Sequence, residues 1–239
     1  MQTISINMKF WHDGYANSTR LRNVKFCWKE LKKLAAYLLD NNVTASVNLY
    51  DFSETQIIED ATHISYPVGT YKKAEKTNII LKQQAGSSFF MMIDSDAFFD
   101  SVDYDFVLDI IKNLKNGDIV TFDLAKLNDN VNDYIIDNIF YKNLADWSYA
   151  YAGNRDNGPL AGHNGGLGGV YICDTNILLS LGGFDEKYIG WGGEDGDMLS
   201  RIWYSDLPHN FKPTRHFAPY HLPHLSDWGN ELYSQRFSE

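Results

Sequence analysis

The sequence is poor in the two residue types that would make its class obvious. Cysteine occurs twice in 239 residues, at Cys27 and Cys173. Two thiols so far apart define no disulfide framework and are read as a reduced, buried pair of free cysteines. Basic residues are also short: 21 Lys and Arg stand against 31 Asp and Glu, a formal charge of -10. Nucleic acid and anionic membrane surfaces reward Lys and Arg, so neither is expected as the main partner. An acidic protein that handles phosphates must neutralise them locally, and a divalent cation is the direct way to do so. No apolar run is long enough for a transmembrane segment, and the stretch from Met1 to Phe10 lacks the basic start and apolar stretch of a signal peptide. The expectation is a cytoplasmic location, free or peripheral at the inner face of a membrane, or a catalytic domain cut from a longer chain. Repeats, low-complexity tracts and linkers are absent, which gives one domain over residues 1–239.

What is present alternates. Thr3–Phe10, Thr44–Tyr50, Ser88–Ile93 and Asp118–Phe122 read as strands, and Asn23–Leu39, Lys72–Gln84 and Tyr104–Leu114 carry apolar residues at helical spacing. This order suggests βαβ units, hence an α/β fold with a Rossmann-like, mostly parallel central sheet flanked by helices. The second half is less regular. Tyr134–Tyr149 is aromatic-rich and read as helical, and Gly153–Gly169 as a glycine-rich loop. A strand at Val170–Cys173 and a helix at Thr175–Leu181, closed by Gly182 and Gly183, follow. A further helix spans Glu194–Trp203, and the tail from Phe211 shows little periodicity.

Three constellations carry chemistry. In the first, the apolar run Phe89-Phe-Met-Met-Ile ends in Asp94-Ser-Asp96. At the carboxyl edge of a parallel sheet such a pair faces a ligand crevice, and two adjacent carboxylates call for a cation. Oxygen ligands of this kind suit Mg2+ or Mn2+, whereas the plainer reading is a solvated turn. The second is Gly182-Gly-Phe-Asp-Glu-Lys-Tyr-Ile-Gly-Trp191-Gly-Gly-Glu194-Asp195-Gly-Asp197, where three acids open a helix behind flexible glycines and a tryptophan of the kind that sugar rings stack on. A carboxylate held there can act as general base on a hydroxyl; the plainer reading is an acid-capped helix with a core tryptophan. The third is His216, His221 and His224, of which the last two lie three residues apart and are candidate metal ligands.

Strand-Asp-x-Asp followed by Gly-Gly-Phe-Asp and Gly-Trp-Gly-Gly-Glu-Asp resembles the GT-A glycosyltransferases, specifically the β-1,4-galactosyltransferase family, and is similar to the polypeptide N-acetylgalactosaminyltransferases. His224 leads to Gln235-Arg236-Phe237, with the arginine twelve residues on, as in that family. The stretch Lys72–Asn78 resembles the segment preceding Asp-x-Asp in such enzymes. The resemblance implies Mn2+ or Mg2+ held by Asp96, His221 and His224. It implies Asp195 as catalytic base, with Glu194 binding acceptor hydroxyls. It places Asp94, Lys73, Asn78, Gly168, Gly169, Trp191, Gly192 and Gly193 at a UDP-sugar donor. Gly166, where the galactosyltransferases have an aromatic, together with His163 and Asn164, would govern donor specificity between galactose and N-acetylgalactosamine. Gly196 interrupts the run of acids that the family often has, and Arg20 and Arg22 are the available counterparts of its first-strand arginines.

The resulting expectation is a metal-dependent, inverting transfer of a hexose or N-acetylhexosamine from a UDP-sugar to a hydroxyl of a glycan acceptor. Inversion is expected because the N-acetylgalactosaminyltransferases typically retain configuration and carry Glu-Asn where this chain has Glu194-Asp195. The alternatives are a non-catalytic carbohydrate or nucleotide-sugar-binding module on the same scaffold, and a retaining enzyme. A nucleotide-sugar pyrophosphorylase would need a glycine-rich basic loop after the first strand, and 11–20 has one glycine.

Overall fold

A computed structural model describes residues 3–11, 18–67, 72–127, 148–151, 167–189, 192–214, 219–222 and 235–236. Its centre is a seven-stranded sheet in the order β11-β6-β9-β4-β1-β2-β3. The strands are β1 (Ile4–Phe10), β2 (Ala45–Asp51), β3 (Thr62–His63), β4 (Phe89–Asp94), β6 (Asp118–Phe122), β9 (Val170–Asp174) and β11 (Asn210–Thr214). All run in one direction except β9, which is antiparallel to both β4 and β6. The sheet is therefore mostly parallel, as the alternation predicts. A four-stranded sheet combines β5 (Ala97–Phe98), β12 (Tyr220–His221), β7 (Leu124–Leu127) and β8 (Ser148–Tyr151), and β10 (Tyr188–Ile189) pairs with β13 (Gln235–Arg236).

Two departures from the sequence reading have simple causes. The helix expected over Tyr134–Tyr149 lies largely outside the described residues, and its last two positions belong to β8, paired antiparallel with β7. Cross-strand pairing there overrides the weak helical pattern. The tail, in which little periodicity is legible, opens within β11, an edge strand beside β6. Its Pro213 is tolerated at an edge and hides the strand from a pattern search.

The strands near the site are buried on both faces. From β1, Ile4, Ile6, Met8 and Phe10 enter one core layer with Val24, Trp28, Leu31, Leu34 and Leu38 of α1 (Ser18–Asp40). The opposite face of the sheet packs against α2 (Lys73–Gln83), α4 (Thr175–Ser180) and α5 (Glu194–Trp203) through Phe90, Met92, Ala74, Ile80, Leu178, Met198 and Ile202. The remaining helix, α3 (Tyr104–Lys112), sends Val107, Leu108 and Ile111 into the first layer. Cys27 and Cys173 are free and buried, as expected. No helix among the described residues is long and apolar enough to cross a membrane.

Polar residues on the α2 side of β1 are tied down. Asn7 donates to the carbonyl of Met91 and accepts from the Asn48 side chain, each at 3.1 Å. Ser5, Asn7 and Lys9 thus form a buried polar row whose last member reaches the carboxyl edge of the sheet.

Asn78 of α2 fixes the turn after α4. Its amide nitrogen donates to the Phe184 carbonyl (2.8 Å) and to Glu186 Oε1 (2.9 Å), and its oxygen accepts from the Phe184 N–H (2.8 Å). Gly182 and Gly183 take φ of +77° and +80°, and a Cβ on Gly183 would lie 2.4 Å from Asn78 Oδ1, whereas one on Gly182 would meet nothing. Gly183→Ala should therefore destabilise the protein clearly more than Gly182→Ala. The positive φ alone costs about 1–3 kcal/mol. Urea titration of both variants checks the order, and equal losses would show that Asn78 yields freely.

Candidate active site

The carboxyl ends of β1 and β4 meet the first turns of α2 and α5. Lys9 and Asp94 are register partners on adjacent parallel strands and so face the same way. Asp94 N–H donates to the Gly169 carbonyl (2.9 Å), which fastens the start of β9 to the end of β4. Beside it, a Cβ on Gly168 would lie 3.5 Å from Asp195 Oδ2, and one on Gly169 (φ +76°) only 2.6 Å from Leu124 Cδ1. Gly169 is therefore required for the close approach of β7, whereas a Cβ at Gly168 would come into ordinary contact with the Asp195 carboxylate, so Gly168 packs directly beside that acid. Gly192 and Gly193 lead into α5 at φ of +91° and +89°.

Lys73, at the start of α2, sets its ammonium between two acids from the start of α5: 2.5 Å from Asp195 Oδ2 and 2.9 Å from Glu194 Oε1. The Glu194 side chain is 2% exposed and that of Asp195 14%. The two carboxyls are consequently driven apart. Burial pushes Asp195 up to about 7, and the neighbouring Glu194 charge adds to this against the pull of Lys73 and, more weakly, Lys9. Burial also works against the Glu194 anion, but Lys73 outweighs it and holds Glu194 below the usual carboxylate range. One acid is kept ionised, and its neighbour exchanges a proton near neutrality. Pairs separated in this way are the mark of acid–base chemistry.

Lys9 belongs to the same group and was not singled out in the sequence. It is buried and donates to Thr77 Oγ1 (3.1 Å), and that hydroxyl in turn donates to the Lys73 carbonyl (2.8 Å). Burial, and after it the Lys73 charge, lower its ammonium to about 8 against the opposing pull of Asp94, Asp195 and Glu194. The one signal for it in the sequence is a lysine at the end of an otherwise apolar alternation, which reads more readily as a solvated position.

The Asp-x-Asp turn opens toward the tail. Antiparallel pairing of β5 with β12 sets His221 opposite Ala97, and the Leu222 N–H donates to the Asp96 carbonyl (2.7 Å). His221 Nε2 then lies 3.3 Å from Asp96 Oδ1, both side chains being partly exposed. Neighbouring corners of an octahedron with bonds of about 2.1 Å are about 3 Å apart, so these two atoms fit one divalent ion of the Mg2+ or Mn2+ type. Among the described residues no group of three or more His, Cys, Asp or Glu converges on one point. The expected third ligand, His224, lies outside the described residues, as do Trp191, His163, Asn164 and Gly166.

Two residues expected at the donor are engaged within the protein. Both ends of the buried Asn78 amide are bonded to Phe184 and Glu186, so this residue braces the segment leading to α5. Lys73 faces the Glu194–Asp195 pair, so its first role is electrostatic partner of the acids. A shallow depression of about 340 Å³ lies on the far side of Asn78, beside Gly182, Asp185, Glu186 and Arg201. The Arg201 guanidinium there is spent on Asp197 and on the carbonyls of Leu181 and Gly183, so the depression is set apart from the carboxylate chemistry.

Residues 151–225 match the family model described as the N-terminal domain of galactosyltransferase. Human beta-1,4-galactosyltransferase 3 is 34% identical over 71 residues, 30% of this chain and 18% of the relative. Human beta-1,4-galactosyltransferase 2 is 34% identical over 82 residues, 34% of this chain and 21% of the relative. The matched segment thus spans about a fifth of the length of these curated relatives. The likeness in structure extends much further. The catalytic domain of Drosophila beta1,4galactosyltransferase 7, solved in complex with xylobiose, superposes with a TM-score of 0.51 over 98% of this chain and 76% of that one at 12% identity. GalNAc-T7 with UDP, GalNAc and Mn2+ superposes with a TM-score of 0.53 over 93% of this chain and 44% of that one at 13% identity. The fold is that of the GT-A glycosyltransferases. The resemblance to the galactosyltransferases found in the motifs is thereby shown in sequence for residues 151–225 and in fold over nearly the whole chain.

The Lys73 pair yields a stability test. Removing one partner of a buried ion pair typically costs about 3–5 kcal/mol, because the remaining charge is left uncompensated. Glu194 is held below its unfolded value, so its contribution to stability is present above the unfolded pKa near ~4.3 and is lost as pH falls through the lower folded value. Lys73→Met should therefore show a large deficit in urea titrations at pH 7.5 that shrinks once pH is taken well below the unfolded value, where Glu194 takes up its proton in the folded wild type as well. A deficit independent of pH would mean that Lys73 contributes through packing alone.

Proposed function

We propose that this protein is a metal-dependent glycosyltransferase that moves a hexose or N-acetylhexosamine from a UDP-sugar to a hydroxyl of a glycan acceptor with inversion. The observation that carries this reading is the Lys73–Glu194–Asp195 cluster at the carboxyl edge of β1 and β4, one residue from Gly169 and hence from the Asp-x-Asp turn. The galactosyltransferase likeness of 151–225 and the GT-A fold agree with it. The neighbours' ligands point the same way: xylobiose in one, UDP, GalNAc and Mn2+ in the other.

The chemistry follows from the separated carboxyls. Asp195 is the more accessible acid, lies beside Gly168, which carries no side chain to cover it, and exchanges its proton near neutrality, so it serves as the base. It takes the proton of the acceptor hydroxyl as that oxygen bonds to the anomeric carbon, while the bond from that carbon to the diphosphate oxygen breaks on the opposite side. Glu194 stays ionised and binds a neighbouring acceptor hydroxyl. Lys73 keeps both acids in place and offsets their mutual repulsion. Asp96 and His221, joined by His224, would hold a divalent ion of the Mn2+ type, which when bound supplies Lewis-acid stabilisation of the departing diphosphate. Asp94 would stand at the nucleotide end of the donor, and Trp191 with Gly192 and Gly193 over its sugar. The space at Gly166, with His163 and Asn164 beside it, would admit an acetamido group and so UDP-N-acetylgalactosamine as well as UDP-galactose.

Two experiments test the reading. Loss of a general base typically costs about 10²–10⁴-fold in turnover, so Asp195→Asn should retain donor binding and lose activity on that scale. In the wild type, kcat/KM should fall as pH drops through about 7, because protonation removes the base. An acid limb that is unchanged in residual Asp195→Asn activity would exclude Asp195 from the role. For the metal, chelation should abolish UDP release from a UDP-sugar panel and Mn2+ should restore it. Mn2+ binding followed by electron paramagnetic resonance should weaken in Asp96→Asn and His221→Ala. Full turnover in excess chelator would overturn metal dependence, and sugar binding without UDP release on any donor would favour a binding module.

A further inference from the structure

Lys9 is a buried cation beside the acids that the proposed chemistry does not use. It stands on the α2 side of β1, in register with Asp94, and its ammonium is covered by α2. Its hydrogen bond runs to Thr77, whose hydroxyl donates to the backbone carbonyl of Lys73, the residue that holds Glu194 and Asp195. A buried lysine in a sheet is costly, and a hydrophobic residue would pack there at less expense. Its neighbours explain why a cation sits there: three carboxylates, Asp94 from β4 and Glu194 and Asp195 from α5, act on it, against the two ammoniums of Lys73 and Lys76 from α2. With Lys73 alone, three acids would share one nearby cation at the sheet edge.

We propose that Lys9 is a positioning residue for the Glu194–Asp195 pair: a second ammonium, tied through Thr77 to the backbone of Lys73, that balances the carboxylates from within the fold. It touches neither donor nor acceptor. Its effect is to keep Lys73 seated on the two acids and to favour the ionised form of Asp195. Among the described residues the other charged or titratable groups around Asp195 are Lys73 on α2, Glu194 on α5, Asp94 on β4 and the buried Tyr171 hydroxyl on β9, and of these Lys73 alone is cationic. Removal of Lys9 takes away one of two positive charges that oppose proton uptake by Asp195.

The inference rests on the proposed base role of Asp195 only for its effect on rate, and its test is a titration that needs no turnover. The carboxyl carbon of Asp195, assigned by its loss in Asp195→Asn, is followed by NMR against pH in the wild type and in Lys9→Met. The midpoint should rise by about one pH unit, the lower end of what an opposite charge nearby gives. Linkage makes the coupling reciprocal, so the Lys9 side chain should titrate at a lower pH in Asp195→Asn than in the wild type, by a similar amount. This second arm uses a near-isosteric variant and decides the matter should Lys9→Met fail to fold. If Asp195 is the base, kcat/KM of Lys9→Met should drop about fivefold at pH 7 and recover at pH 9, the change in ionised fraction that a one-unit rise gives. Shifted titrations without UDP release from any donor would uphold the coupling and sink the transferase reading. Titration midpoints unchanged in the variants that fold would overturn the role of Lys9, whatever the activity.

Discussion

The ammonium of Lys73 is the contact on which the site depends. The side chain of Glu194 is 2% exposed, and a carboxylate so deeply buried stays ionised only with a cation and hydrogen bonds at hand. Lys73 comes from the first turn of α2 and the acids from the first turn of α5, so the pair joins two helices packed on one face of the sheet. Five residues further along α2, Asn78 holds the Phe184–Glu186 turn. One helix thereby fixes both ends of the segment that delivers Glu194 and Asp195, and the acids are aimed by α2 as much as by their own helix. The start of α5 adds its own field, since its unsatisfied N–H groups favour acids in the first turn.

Much of this was legible in the sequence, and what was not shares one physical cause. Local periodicity located β1, β2, β4, β6 and β9 and helices α1, α2, α3, α4 and α5 to within a few residues, because burial on two faces writes continuous apolar runs and helix packing writes spacing. The direction of β9 left no trace, since an apolar five-residue strand reads alike either way. The edge strand β11 was masked by Pro213, and β8 by aromatic residues that suit helix and strand equally. Motif spacing brought out Asp94, Asp96, Glu194, Asp195 and His221. It could not show that Lys73 pairs with an acid 122 residues away, that Asn78 spends its amide on a turn, or that Lys9 lies inside the protein. These are long-range contacts, and a single sequence records only the residue types that make them possible.

The pairing of Asp96 with His221 shows the same dependence on distant segments. β12 is two residues long and has little stability of its own. It is held between β5 and β7, and the hydrogen bond from Leu222 to the Asp96 carbonyl sets the tail against the Asp-x-Asp turn. A histidine that looked like one of three in an irregular tail is thereby placed beside Asp96, the second acid of the Asp-x-Asp turn.

The charge balance at the sheet edge links composition to chemistry. The chain carries a net charge of -10, yet near Asp195 it places two ammoniums, Lys9 and Lys73, against Asp94, Glu194 and Asp195. That near-balance suits the proposed neutral acceptor hydroxyl, which would give up a proton to Asp195 without meeting a strong field of either sign. It does not suit a diphosphate, which would add negative charge to a site already one cation short. Further basic side chains close to Asp195 would lower its proton affinity and weaken it as a base. A divalent ion at Asp96 and His221, as proposed, would resolve the conflict, because it would bring positive charge to the Asp-x-Asp turn without adding a cation beside Asp195 and would leave the acid–base pair near neutrality.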